Sequence, residues 1–140
     1  MHLEPVIVSG GISLADAATQ APGTILPKAA RSAGTYTSEE IVNPRYTGVL
    51  LAIDLSGVDA GESLDVTIEA FDPISQTWAT LPNASTGGLT ANALKLFTVH
   101  PAVQQQVGTY ISAGLPPRWR VKATVAGGTV TFSIAGYYLA

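Results

Sequence analysis

The sequence contains no cysteine, which excludes disulfides, thiolate metal centres and cysteine nucleophiles while leaving the compartment open. Charge is scarce as well. Only 12% of residues are Asp, Glu, Lys or Arg, against roughly 25% in an average globular protein, so the exposed faces must be built largely from Ser, Thr, Gln and Gly. No apolar run approaches the roughly 20 residues of a membrane-spanning helix. The N-terminus shows neither the basic start nor the long apolar stretch of a secretory signal, so no export signal and no membrane partner are expected. No self-similar period of solenoid or propeller length is visible either.

What is present is apolar: 46% of 140 residues are hydrophobic, enough for one domain with a core that needs no covalent staples. Charge is unevenly spread. Through Asp72 there are ten acids and three bases (Lys28, Arg31, Arg45), and from Pro73 onward four bases (Lys95, Arg118, Arg120, Lys122) and no acid. Pairing between acidic and basic strands explains this asymmetry more simply than a polyanion-binding face does. With so few bases and no interleaved stacking aromatics beyond Trp119, no nucleic-acid partner is expected.

Residues 1–33 are interrupted by Pro5, Gly10, Gly11, Pro22, Gly23 and Pro27, so they read as an extended N-terminal arm with at most a helical turn over Ser13 to Ala18. Val6-Ile7-Val8 would suit strand addition to a neighbour. From Thr35 onward, short strands follow one another. Thr35 to Ile41 ends at Asn43-Pro44. Tyr46 to Leu55 carries Val49, Leu51, Ile53 and Leu55 on one face, while Leu50 and Ala52 make its other face apolar too, the pattern of a central strand covered on both sides. Leu64 to Asp72 alternates cleanly and should form a hairpin with Gln76 to Thr80 through Asp72-Pro73-Ile74-Ser75. Pro82 to Thr90 reads as a polar loop, Ala93 to Val99 as a strand, and Val103 to Val107 as a helical turn. Arg118 to Val125 and Thr129 to Ile134, around Ala126-Gly127-Gly128, read as a closing β-hairpin. Its alternation puts Trp119, Val121, Ala123 and Val125 inward and Arg118, Arg120, Lys122 and Thr124 outward.

No constellation for chemistry stands out. His2 and His100 lack further ligands at metal spacing. Asp54, Asp59 and Glu62 lack the rhythm of a calcium loop and read as a solvated turn. Glu39 and Glu40 are consecutive, so in a strand they point to opposite faces and cannot act as paired carboxylates. Ser9-Gly10-Gly11 and Gly127-Gly128 are turns without the following helix of a phosphate cradle. Tyr36, Tyr46, Tyr110, Tyr137, Tyr138, Trp78 and Trp119 fit a core or a subunit interface better than a sugar-binding face. Asp65 and Glu69 project from the outer face of one strand and Arg118, Arg120 and Lys122 from that of another; adjacency would let them pair at roughly 0.2–1 kcal/mol per cross-strand pair.

Three stretches carry a resemblance: Tyr36-Thr37-Ser38-Glu39-Glu40-Ile41 followed by Arg45-Tyr46-Thr47-Gly48-Val49-Leu50-Leu51-Ala52-Ile53-Asp54, then Leu64 through Pro73 to Trp78, then Arg118-Trp119-Arg120-Val121 with its Gly-Gly turn. Over residues 35–138 the chain resembles small virion structural proteins of tailed bacteriophages, most like auxiliary head proteins that decorate or cement the capsid. The resemblance implies a jelly-roll-like body, self-association, often as trimers, and attachment to major capsid protein on the capsid exterior after synthesis in the host cytoplasm. The resulting expectation is an all-β, antiparallel β-sandwich (jelly-roll-like) of about seven to eight strands in residues 34–140, behind an extended N-terminal arm over residues 1–33. No enzyme activity, catalytic residue, cofactor or metal is expected. The candidate interface residues are Val6, Ile7, Val8, Tyr36, Arg45, Arg118, Arg120, Tyr137 and Tyr138. A carbohydrate-binding or host-adsorption sandwich, and a tail or connector component of the virion, are the alternatives.

Overall fold

Two-residue alternation of apolar and polar side chains dictates the architecture, because each long strand has one face to hide. A computed structural model describes residues 4–7, 22–101, 110–111 and 114–140. Among these residues there is no helix, and eleven strands are present: β1 (Glu4–Pro5), β2 (Thr24–Arg31), β3 (Gly34–Thr37), β4 (Ile41–Val42), β5 (Gly48–Gly57), β6 (Ser63–Asp72), β7 (Thr77–Ser85), β8 (Ala93–Val99), β9 (Tyr110–Ile111), β10 (Arg118–Ala126) and β11 (Val130–Leu139).

The strands form two sheets. In the first, β11 is flanked on one side by β1 and β2 and on the other by β5, which is followed by β8 and β9. In the second, β10 is flanked by β3 and β4 on one side and by β6 on the other, with β7 outermost. Every pairing is antiparallel except the short one between β8 and β9. The chain runs through β1 and β2 in the first sheet, crosses for β3 and β4, returns for β5, crosses for β6 and β7, returns for β8 and β9, crosses for β10 and ends in the first sheet with β11. Two facing sheets threaded in this order are a jelly roll.

The inward faces meet in one core. Trp119, Phe97 and Phe132 are its largest fully buried side chains, surrounded by Ile41, Leu51, Ile53, Leu64, Ile68 and Ile134. With no disulfide in the chain, burial of this kind, worth roughly 1.5–3 kcal/mol per Leu, Ile or Phe side chain, is the main force holding the sheets together.

The structure departs from the sequence reading in several places. Arg118 to Ile134 is not a hairpin: β10 pairs with β6 from Trp119↔Ala70 to Ala126↔Ser63, and β11 pairs with β5 from Thr131↔Gly57 to Leu139↔Gly48. The two strands face each other across the core, and Gly127 to Thr129 carry the chain from one sheet to the other. Glu62 stitches this corner by accepting hydrogen bonds from Asp59 N–H (2.9 Å) and Thr129 N–H (3.1 Å). Thr24–Arg31, read from sequence as part of the arm, is a strand of the first sheet: it pairs along β11 and sends Ile25 and Leu26 into the core. Val6 joins them, its N–H donating to Gly136 O at 2.9 Å. Gly136 permits this layering, since a Cβ there would stand 2.7 Å from Ile25 Cδ1 and 3.0 Å from Val6 Cγ2.

The single strand read over Thr35 to Ile41 is broken into β3 and β4, because Ser38 Oγ accepts the Val121 N–H at 3.0 Å and interrupts the regular ladder. Strand β7 runs through Pro82 to Ser85, where a loop was expected; its place at the sheet edge makes the missing N–H harmless. The hairpin of β6 and β7 is as expected, with Asp72 accepting Ser75 Oγ–H at 2.7 Å and Ile74 N–H at 3.1 Å in its turn. The helical turns read at Ser13 to Ala18 and Val103 to Val107 lie outside the described residues.

Candidate interaction surfaces

The two outer faces of the sandwich differ in chemistry. On the second sheet, register puts Arg120 opposite Glu69, and Arg120 Nε donates to Glu69 Oε1 at 2.7 Å. Arg118 Nε donates to Glu40 Oε1 at 2.6 Å, in place of a partner on β6. Each guanidinium also covers an aromatic ring: Arg118 lies 4.0 Å from the Phe71 centroid and Arg120 4.3 Å from that of Trp78, and the two rings contact each other at 5.0 Å. Asp65 accepts a hydrogen bond from Ser85 Oγ at 2.9 Å. The charges of this face are therefore largely neutralised within the chain, which is the pairing that the uneven sequence charge called for.

The outer face of the first sheet is nearly free of charge. Pairing lines up Leu96, Ala52 and Ala135 in one row across β8, β5 and β11, and Thr98, Leu50 and Tyr137 in the next. Leu94, Asp54 and Ser133 form a third row. Leu94 is 62% and Leu96 47% exposed. Leu50 and Ala52 belong to the strand whose sequence is apolar on both faces, yet among the described residues only one of those faces is covered.

At one end of the sandwich, residues before β2 and around β4 frame a cleft of about 270 Å³ whose lining includes Ile7, Val42, Tyr46 and Tyr138. Its aromatic wall is rigid: Tyr46 and Tyr138 stack at 4.6 Å, with the Arg45 guanidinium 5.3 Å from the Tyr46 centroid. Burial pushes the Tyr138 phenol up, and the nearby Trp119 indole opposes that shift. The Trp119 Nε1–H nonetheless has no partner within hydrogen-bond geometry, while the Tyr138 hydroxyl donates to Val42 O at 3.3 Å. Elsewhere, burial lowers the pKa of Arg31, with Tyr36 opposing; its guanidinium donates to Pro27 O at 2.7 Å and Phe132 O at 3.1 Å.

The structure scatters the residues singled out from sequence. Val6 and Tyr138 are core; Ile7 is 65% exposed at the cleft; Val8 lies outside the described residues. Tyr36, half-buried on β3, donates its hydroxyl to Ser32 O at 2.6 Å. Arg45 is exposed near the cleft, Arg118 and Arg120 belong to the paired face of the second sheet, and Tyr137 lies on the apolar face of the first. Sequence reasoning missed Leu94 and Leu96: β8 carries one polar residue on each face, Thr98 beside the leucines and Lys95 beside Phe97 and Val99, so its alternation has no polar side from which to read direction. His100 Nε2 lies 2.9 Å from Ala140 O. Among the described residues no three or more His, Asp or Glu side chains gather into a group able to hold a metal ion.

No family model matches the sequence, and no curated protein matches it. Among solved structures, the chain is similar to one in the structure of infectious bursal disease virus Gt strain, at 18% identity and a TM-score of 0.48, over 82% of this chain. It spans 30% of that viral chain. The similarity concerns the course of the strands alone.

Proposed function

We propose that this chain is a structural protein of a tailed-phage virion, which decorates and stabilises the capsid by binding major capsid protein and associating with its own kind. The observation that carries the reading is the contrast between the two outer faces. One face satisfies its charges internally through the Arg118–Glu40 and Arg120–Glu69 pairs, and the other exposes rows of Leu, Ala and Tyr with little charge. Contiguous exposed apolar surface is the mark of a protein contact. The resemblance of residues 35–138 to auxiliary head proteins supplies the partner. The mechanism is adhesion: a protein that binds the closed shell and not its dissociated subunits stabilises the shell by mass action.

The glycan-binding alternative draws less support from this geometry. A sugar needs an open aromatic face, and both Trp78 and Phe71 already lie beneath guanidinium groups. The test is co-sedimentation of the purified chain with shells assembled from major capsid protein, followed by thermal disruption of those shells. Saturable binding with a raised disruption temperature is expected. No binding at saturating concentration would overturn the proposal.

A further inference from the structure

We propose that two copies of this chain pack through the outer face of the first sheet, in a two-fold contact between β8, β5 and β11 of each. The inference deepens the adhesion reading above and rests on it, by naming the face and the partner for self-association.

The relief of this face fits a copy of itself. In the row Leu96–Ala52–Ala135 a large side chain on β8 borders two small ones on β5 and β11, and in the next row Leu50 and Tyr137 stand beside Thr98. A two-fold axis between copies lets Leu96 of each lie over the Ala52–Ala135 valley of the other, which is the large-into-small interdigitation that two stacked sheets use about 10 Å apart. An isologous contact of this kind closes on itself and leaves no unpaired copy of the patch.

Its charge fits as well. Asp54 is the one charged residue in these three rows, and the arginines opposite, on the second sheet, are held by Glu40 and Glu69. A strongly charged partner gains almost nothing from this face, whereas a second neutral, apolar face matches it, and a copy of the chain brings one.

The size of the face matters too. Three strands of ten, seven and ten residues, spaced about 4.8 Å apart and rising roughly 3.3 Å per residue, span about 430 Å² in projection. A standard stable interface buries about 800 Å² of accessible surface per partner, and a corrugated face exposes more than its projection. The sequence of β5, apolar on both sides from Val49 to Ile53, is that of a strand covered twice, and the two-fold contact supplies its second cover.

Sedimentation velocity on the full-length chain tests this without any capsid. The wild type is expected at twice the 14.4 kDa chain mass at micromolar concentration. Leu96→Asp should weaken the dimer at least ~100-fold by putting a carboxylate into the apolar contact, and Leu94→Asp, separately, by setting a second carboxylate beside Asp54. Both side chains are exposed in the single chain, so circular dichroism should be unchanged. Ile74→Asp, 93% exposed at the β6–β7 turn, should leave the mass unchanged. A monomer at all concentrations, or a dimer or trimer indifferent to both leucine substitutions, would overturn the inference. Shell binding is scored separately: a wild-type dimer that ignores shells removes the capsid reading and leaves this contact standing, and a monomer that binds shells does the reverse.

Discussion

Truncating the two ends of the Arg120–Glu69 pair should have unequal costs. At the observed 2.7 Å the gross attraction in a medium of effective dielectric near 20 is about 6 kcal/mol, most of which desolvation cancels. What differs is the charge left behind. Arg120→Ala strands Glu69, which is 7% exposed, and also uncovers Trp78. Glu69→Ala leaves an arginine whose side chain is 25% exposed and still rests on the Trp78 ring. Breaking a fully buried pair costs about 3–5 kcal/mol and an exposed pair contributes about 0.2–1 kcal/mol. The arginine truncation is therefore expected near 3 kcal/mol and the glutamate truncation near 1 kcal/mol, with a coupling of about 1–2 kcal/mol in the double-mutant cycle. Urea unfolding of the four proteins at neutral pH measures all three quantities. Equal costs, a larger cost for Glu69→Ala, or additivity of the two would refute the claim that Glu69 is buried by its partner.

The Asp72 carboxylate is held below its ordinary pKa by the Ser75 hydroxyl first, and then by the Ile74 and Ser75 N–H groups. Its contribution to stability is thus complete above the ordinary aspartate range and lost as pH falls through the depressed folded-state value. Ser75→Ala should lower stability at neutral pH, with the gap to wild type closing on acidification; a gap independent of pH in urea melts would contradict this. Deleting residues 1–30 removes Val6, Ile25 and Leu26 from the core, at about 1.5–3 kcal/mol each, a loss comparable with the roughly 5–15 kcal/mol total stability of a typical domain. The remainder is expected to lose cooperative thermal unfolding, and a sharp transition near the wild-type temperature would refute that. Gly127 has φ +84°, and a Cβ there would collide with Gly61 O; Gly127→Ala should cost about 2 kcal/mol in the same melts, and a neutral substitution would show that the corner is soft.

Side-chain periodicity made the faces of the strands legible, and little about their partners. Leu64, Val66 and Ile68 point inward as their spacing requires, β8 begins and ends where its apolar run does, and the opposite charges on Glu69 and Arg120 correctly placed β6 beside β10. The same alternation serves a hairpin and a corner equally well, so nothing local in Arg118 to Ile134 told that its halves belong to different sheets. That choice is made by long-range pairing of β10 with β6 and β11 with β5. Strand β2 was hidden by Pro27 and by Lys28 to Ala30, exposed at the sheet edge, where alternation is not enforced. The turn through Asp59 and Glu62 read as merely solvated because its partner, the Thr129 N–H, is remote in sequence. Arg118 turned from β6 to Glu40 because the residue that leads into β4 brings a carboxylate beside it. The exposed leucines of β8 could not be told from core leucines until the sheet had a known inside.

Whether this chain works by adhering to a shell is read from images, at side-chain resolution, of purified phage particles that carry it. The prediction is jelly-roll density on the capsid exterior, touching major capsid protein, with the first-sheet faces of two copies closed against each other. Particles that lack the chain, or hold it only in the tail, would contradict it.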